Sequence, residues 1–206
     1  MNLINHWNTV YETKEQETLG WYEKDTSKTW ELINESGVAK DARVIHIGAG
    51  TTTLVDEMLD KGFTNMMATD LSKSALDKLA ERVGADKIDC IVDDLAQPSS
   101  LKNIEQVDLW IDRAVLHFLT TENGRKAYFD LLKSKVKDGG YVILAQFALN
   151  GAEKCSGLPV YRYNAQMMSE LLGADFELVN SFDHIYMNPG GAERPYVYAL
   201  FKKNNS

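Results

Sequence analysis

The chain has 206 residues, 44% of them hydrophobic, and a formal net charge of −8. That length suits one domain with a sizeable core, and no apolar run approaches the roughly 20 residues of a membrane span. Lys and Arg are scattered and not massed, residues 1–14 lack the basic-then-apolar order of a signal peptide, and Cys90 and Cys155 are too few for a disulfide framework or a zinc site. The expectation is a cytoplasmic protein without nucleic-acid, membrane or metal partners, acting on a small molecule or a protein.

An amphipathic segment runs to about Gly37 and carries Trp7, Tyr11, Trp21 and Tyr22. Beyond it the hydrophobic period switches repeatedly between two and 3.6 residues. Strands are expected at 43–47, 65–69, 88–92, 107–112, 140–146, 176–184 and 196–202, and helices at 52–61, 72–83, 99–104, 124–134 and 165–172. Ser72 reads as the N-cap of the second of these helices. Strands alternating with helices predict an α/β fold, a doubly wound and mostly parallel seven-stranded sheet with helices on both faces. Only a loop with Asn188-Pro189-Gly190-Gly191 separates the last two strands, so they should close the sheet as an antiparallel hairpin.

The first strand ends in Gly48-Ala49-Gly50-Thr51-Thr52, and Asp70 closes the next strand twenty residues after Gly50. Two glycines permit a sharp turn and close ligand approach, the following helix offers free N–H groups, and a carboxylate at Asp70 can accept from two ribose hydroxyls. Thr51 and Thr52 stand where a dinucleotide fingerprint places further glycines, which disfavours NAD or FAD as the ligand and leaves an NAD(P)-dependent oxidoreductase as the second enzyme reading.

With its terminal hairpin, this pattern resembles the seven-stranded class I S-adenosylmethionine-dependent methyltransferases over about Trp7 to Lys202. The resemblance implies S-adenosyl-L-methionine as cofactor and methyl transfer as the activity. It also implies that Gly48-Ala49-Gly50, with Thr51 and Thr52, lies against the methionine part, and that Asp70, with Leu71 and Ser72, lies at the ribose. Asp93-Asp94-Leu95 would lie near the adenine. Neighbouring strand-end residues point to opposite sides, so only one of the two acids need face the ligand, and Asp94 is preferred. The family's glycine-rich turn before strand five is matched by Lys137-Asp138-Gly139-Gly140, and its fourth strand end, facing cofactor and substrate, by Asp112-Arg113 through His117-Phe118.

Three blocks carry a narrower resemblance: His6-Trp7-Asn8 through Trp21-Tyr22, Asp112-Arg113-Ala114 with His117-Phe118, and Glu153 to Val160 with Arg162-Tyr163. They are similar to a bacterial and archaeal methyltransferase group related to the mitochondrial citrate synthase-lysine methyltransferase. This implies one domain, 1–206, in which residues 1–37 cover the cofactor through Tyr11, Trp21 and Tyr22, and residues 38–206 form the core with a lid loop at 148–164. Each candidate has a plainer alternative. The amino-terminal aromatics could simply pack on the sheet, Asp112 could cap the next segment, and His117 could be a buried structural histidine or a base with an ordinary pKa near 6.5. Cys155, Tyr161 and Arg162 could meet the substrate or only shape the lid. A module that binds the cofactor and regulates a partner without catalysis is the non-enzymatic alternative.

Overall fold

Val44-Ile45-His46-Ile47 and Leu109-Trp110-Ile111 put buried side chains on successive positions, as strands covered on both faces require. In the computed structural model, which describes residues 2–205, the strands are β1 (Arg43–Ile47), β2 (Asn65–Asp70), β3 (Ile88–Val92), β4 (Val107–Arg113), β5 (Val136–Phe147), the two-residue β6 (Lys154–Cys155) and β7 (Leu158–Pro159), β8 (Phe176–Met187) and β9 (Glu193–Lys203). Seven of them form one sheet in the order β3-β2-β1-β4-β5-β9-β8, while β6 and β7 pair with each other. Strands β1 to β5 are parallel and β9 runs antiparallel to both neighbours, as a final connection without a helix predicts. The order reverses between β1 and β4, so the turns leaving those strands diverge and open a crevice at the carboxyl edge.

Six α-helices among the described residues accompany the sheet: α1 (Leu3–Thr13), α2 (Ser27–Ser36), α3 (Leu54–Asp60), α4 (Lys73–Val83), α5 (Glu122–Lys135) and α6 (Ala165–Leu172). Alternation along β1 sends Val44 to one face and Ile45 and Ile47 to the other. The first face packs on Trp30, Leu32 and Ile33 of α2, Val55 and Met58 of α3 and Leu79 of α4. The second packs on Tyr128, Phe129 and Leu132 of α5 and Met168 and Leu172 of α6. Helix α1 joins neither layer; its Val10 and Tyr11 pack with Leu19 on Ala75 of α4, with Trp7, Trp21 and Tyr22 around them. The amino-terminal segment therefore divides in two: α1 lies beside the carboxyl edge, whereas α2 is part of the core and ends at Gly37, whose φ of +66° is left-handed.

Several boundaries differ from the sequence expectation. Helix α3 begins at Leu54, because Thr52 is used in the turn, where its Oγ1 accepts from Leu54 N at 3.2 Å. Residues Ser100–Asn103 make a single 3₁₀ turn. Lys137 to Gly140 lie inside β5 as a bulge and do not precede it: pairing with β4 shifts between Val107 and Leu109, and Gly139 has φ of +76°. The final connection is a tight turn, closed by Asn188 N to Ala192 O at 3.0 Å and Gly191 N to Asn188 O at 2.9 Å, so β8 reaches Met187. No helix among the described residues is long and apolar enough to cross a membrane.

Candidate active site

The turn after β1 is built around two left-handed glycines, Gly48 at φ +54° and Gly50 at φ +52°. A Cβ at Gly48 would collide with Val115, and one at Gly50 with the Tyr11 hydroxyl, so the spacing is needed for backbone geometry and for close packing alike. Parallel pairing of Ile47 with Thr69 brings this turn beside the end of β2. There Asp70 accepts from Gly50 N (2.9 Å) through Oδ2 and from Ser72 N (2.8 Å) through Oδ1. Those bonds fix the carboxylate and leave a further lone pair on each oxygen for two adjacent hydroxyls. Burial pushes the Asp70 carboxyl up to about 6, against the opposing pull of the Ser72, Gly50 and Leu71 N–H groups. Ser72 caps α4, its Oγ accepting from Ala75 N at 3.2 Å and donating to Asn8 Oδ1 of α1 at 2.8 Å.

Two cavities meet at this edge. The larger encloses about 880 Å³ with its open mouth and is lined by Asp70, Leu71, Asp93, Asp94 and Leu95 on one side and by Trp7, Tyr11, Trp21 and Phe118 on the other. The smaller, about 490 Å³ on the same measure, is lined by Trp21, Tyr22, Glu23, His46, Ala49, Thr51, Thr52 and Arg113. Gly48, Trp21 and Arg113 border both. Trp7 packs edge-on against Trp21 (5.4 Å between centroids) and Phe118 (5.1 Å), and Tyr11 lies 6.1 Å from Trp21, making an aromatic wall over the crevice.

The adjacent acids after β3 differ in use. Asp93 accepts from Ser99 N and Oγ, Leu101 N and Asp94 N. Partial burial would raise its carboxyl, but these donors outweigh it and hold it below the usual range. Asp93 therefore shapes its loop, while Asp94 makes one bond to Ala96 N at 2.8 Å and borders the cavity more freely.

At the end of β4, Asp112 is fully buried and accepts from Tyr128 OH (2.6 Å), Gln146 Nε2 (2.7 Å) and Val115 N (3.2 Å). Burial pushes its carboxyl up to about 6 even so. Its side chain borders neither cavity, and it caps the turn that carries Val115 and Phe118. Arg113 turns the other way. Its Nε is 2.9 Å from Glu23 Oε1 and 3.2 Å from Tyr198 OH, its Nη1 donates to Trp21 O at 2.9 Å, and its guanidinium lies over the rings of Tyr186 (4.8 Å) and Tyr196 (5.1 Å).

The remaining expected residues are not brought to the cavities. His117 is fully buried, stacked on Phe147 at 4.6 Å with neither ring nitrogen partnered, and burial with the Arg113 charge pushes it down to about 3. The ring is therefore neutral and borders neither cavity. Tyr161 donates its N–H to His117 O at 2.7 Å and lies under the Arg125 guanidinium at 4.0 Å, and Arg162 reaches Gly151 O at 3.3 Å and Glu153 at 3.5 Å. Cys155 is partly buried against the sheet, and that burial pushes its thiol up to about 11. Its neighbour Ser156 lies 3.4 Å from His6 Nε2, joining this loop to α1. Glu23 and His46 border the smaller cavity without having been marked in the sequence; for Glu23 the available signal was its place directly after Trp21-Tyr22. Among the described residues no group of three or more His, Cys, Asp and Glu side chains could hold a metal ion.

Residues 45–144 match the family model of a methyltransferase domain. EEF1A lysine methyltransferase 2 of Danio rerio is 22% identical over 192 residues, covering 89% of this chain and 76% of that protein. Its Mus musculus counterpart is 32% identical over 108 residues, 46% of this chain and 43% of that protein. Among solved structures, a SAM-dependent methyltransferase from Anabaena variabilis superposes with a TM-score of 0.79 at 18% identity, covering 98% of this chain and 93% of that one. The N-methyltransferase NodS from Bradyrhizobium japonicum, in complex with S-adenosyl-L-homocysteine, gives 0.74 at 13% identity over 98% and 99%. At such identities these two structures speak to the fold. The family match, the turn after β1, the acid on β2 and the β5-β9-β8 ending together give this chain a methyltransferase domain on a class I, Rossmann-like fold. S-adenosylmethionine is its cofactor.

Proposed function

We propose that this enzyme methylates a protein side chain, the ε-amino group of a lysine, and that the two cavities at the carboxyl edge hold the cofactor. The observation that carries the cofactor placement is Asp70, clamped by Gly50 N and Ser72 N at the rim of the larger cavity. In this reading Asp70 holds the ribose, Asp94 and Leu95 border the adenine, Leu71 and Ser72 complete that rim, and Gly48 to Thr52 cradle the methionine part. Tyr11, Trp21 and Tyr22 cover it. A lysine acceptor is supported by two relatives named as lysine methyltransferases and by the net charge of −8, which favours a basic protein partner.

The cofactor supplies an already activated methyl group. The protein then has to align the acceptor nitrogen, exclude water behind the aromatic wall and hold the attacking lone pair in line. An amine that docks neutral needs no base, which agrees with the enclosed position of His117 and with the capping role of Asp112. Incubation with methyl-labelled cofactor and fractionated cell extract tests the acceptor. Label in protein, located on lysine by mass spectrometry, is the expected result. Label confined to small molecules overturns the protein acceptor, and tight cofactor binding with no label in any fraction points to a regulatory module.

A further inference from the structure

Strand β8 is the outer edge of the sheet, and among the described residues no strand pairs with its free side. It is 12 residues long, whereas β3 at the opposite edge has 5. On β9, Pro195 gives its carbonyl to Ala148 N beyond β5 at 2.9 Å, so Ile185, directly opposite Pro195, sits in a non-hydrogen-bonded pair and turns its own N–H and C=O outward. The two-residue period extends this to Ser181, Asp183 and Met187, and all four residues are exposed. Exposed apolar side chains gather on the same strand: Leu178 (39%), Val179 (41%), Ile185 (54%) and Met187 (54%). A long edge with free donors, free acceptors and apolar side chains is a template for another strand.

The strand that fits is a second β8. Laid antiparallel on its own copy about Phe182, it brings Ser181 opposite Asp183 and Asn180 opposite His184. The bulge between Leu178 and Asn180 then skips Val179 and puts Leu178 opposite Ile185 and Phe176 opposite Met187. Without the bulge these apolar pairs would be out of phase. With it they share a face, since Leu178 stands opposite Phe201 and Asp183, two residues before Ile185, opposite Val197, and both Phe201 and Val197 belong to the layer under α5 and α6. No like charges stand directly opposite, and Glu35, held by Asn180 Nδ2 at 2.6 Å, is carried toward His184 of the second copy. At about 3.3 Å per residue and a sheet thickness of about 10 Å, such an edge pair buries on the order of 1,000 Å², the lower bound of a specific interface.

We propose that two copies of this chain form a two-fold dimer through β8, joining their sheets into one continuous sheet. An isologous contact of this kind repeats every pair twice, so each apolar match counts double. Because the paired strands run in opposite directions, the carboxyl edges of the two copies point opposite ways, and the dimer leaves both crevices open. The inference rests neither on the cofactor placement nor on the acceptor.

Sedimentation equilibrium of the whole protein tests it, with a concentration-dependent dimer expected below about 100 μM. Ser181→Pro deletes an outward N–H and leaves the ladder to β9 intact, so it should raise the dimer Kd about tenfold or more through two lost interchain bonds. Ile185→Asp should raise it about 30-fold or more, the loss being repeated by symmetry. Phe182 meets its own copy in a non-hydrogen-bonded pair, with Cα atoms about 4.5 Å apart, within disulfide reach. Phe182→Cys, in a chain with Cys90→Ser and Cys155→Ser, should therefore cross-link into a covalent dimer under mild oxidation. A protein that stays monomeric at 100 μM overturns the proposal, as does a dimer indifferent to both Ser181→Pro and Ile185→Asp or one that Phe182→Cys does not link. Should Ser181→Pro fail to fold by circular dichroism, Ile185→Asp and the cross-link decide.

Discussion

Removing the Asp70 carboxylate tests the centre of the site. In Asp70→Ala the ribose hydroxyls lose two charge-assisted acceptors, each worth about 1.5–3 kcal/mol, while Gly50 N and Ser72 N lose partners at 2.9 and 2.8 Å. Part of the second loss is already borne by the free protein, so a net weakening of about 3 kcal/mol, on the order of 100-fold in Kd, is expected. Asp70→Asn should do little better, because its amide NH₂ must oppose one of the two backbone N–H groups. The pH dependence supplies the sharper measurement. With the Asp70 carboxyl pushed up to about 6, binding is at full strength above that pH and is lost as pH falls through it, since protonation removes an acceptor. Calorimetry with S-adenosylhomocysteine should therefore show about tenfold weaker binding at pH 5 than at pH 8 in the unaltered protein and a flat profile in Asp70→Asn. A Kd within threefold of the original in Asp70→Ala, or a pH profile that survives in Asp70→Asn, would refute the ribose assignment.

Gly50→Val should abolish cofactor binding, because the left-handed backbone and the Tyr11 hydroxyl both reject the side chain; unchanged affinity in a folded variant, judged by circular dichroism, would put the ligand elsewhere. Deleting residues 1–22 should weaken cofactor binding about tenfold or more yet leave cooperative unfolding, since α2 and every strand remain; loss of the unfolding transition would mean that α1 is part of the core. His117→Leu should be neutral or stabilising in urea denaturation and keep methyl transfer, because two unpartnered ring nitrogens leave an apolar cage; loss of turnover with an intact fold would restore a catalytic role. Tyr128→Phe should cost about 1.5–3 kcal/mol of stability by denaturation, since the hydroxyl gives Asp112 its 2.6 Å bond and accepts from Trp110 Nε1 at 3.1 Å.

The fold was legible because its signals are local. Strand periods, the Gly48-Gly50 turn and the lack of a helix in the final connection each constrain a few consecutive residues, and parallel topology follows from the alternation of strands with helices. What was missed depends on pairing across the sheet. Nothing within Lys137-Asp138-Gly139-Gly140 distinguishes a turn from a bulge; the register against β4 decides it. Likewise the amphipathic pattern before Gly37 reads alike for α1 and α2, yet only α2 finds the sheet beneath it.

The site divides along the same line. Asp70 could be read from its distance to the glycine turn, because one strand and one helix fix that geometry. The residues after β4 and β5 could not, since neighbours in sequence part company there: Asp112 turns inward to Tyr128 and Gln146, Arg113 outward to Glu23 and Trp21, and His117 under Phe147. A strand sends alternate side chains to opposite faces, and at the end of β4 this turns Asp112 away from both cavities while Arg113 borders them. At that strand end Arg113, not Asp112, is the side chain that borders the cavities. Its partner Glu23 then follows from the covering segment, where a carboxylate beside Trp21 and Tyr22 is buried only because Arg113 is there to receive it.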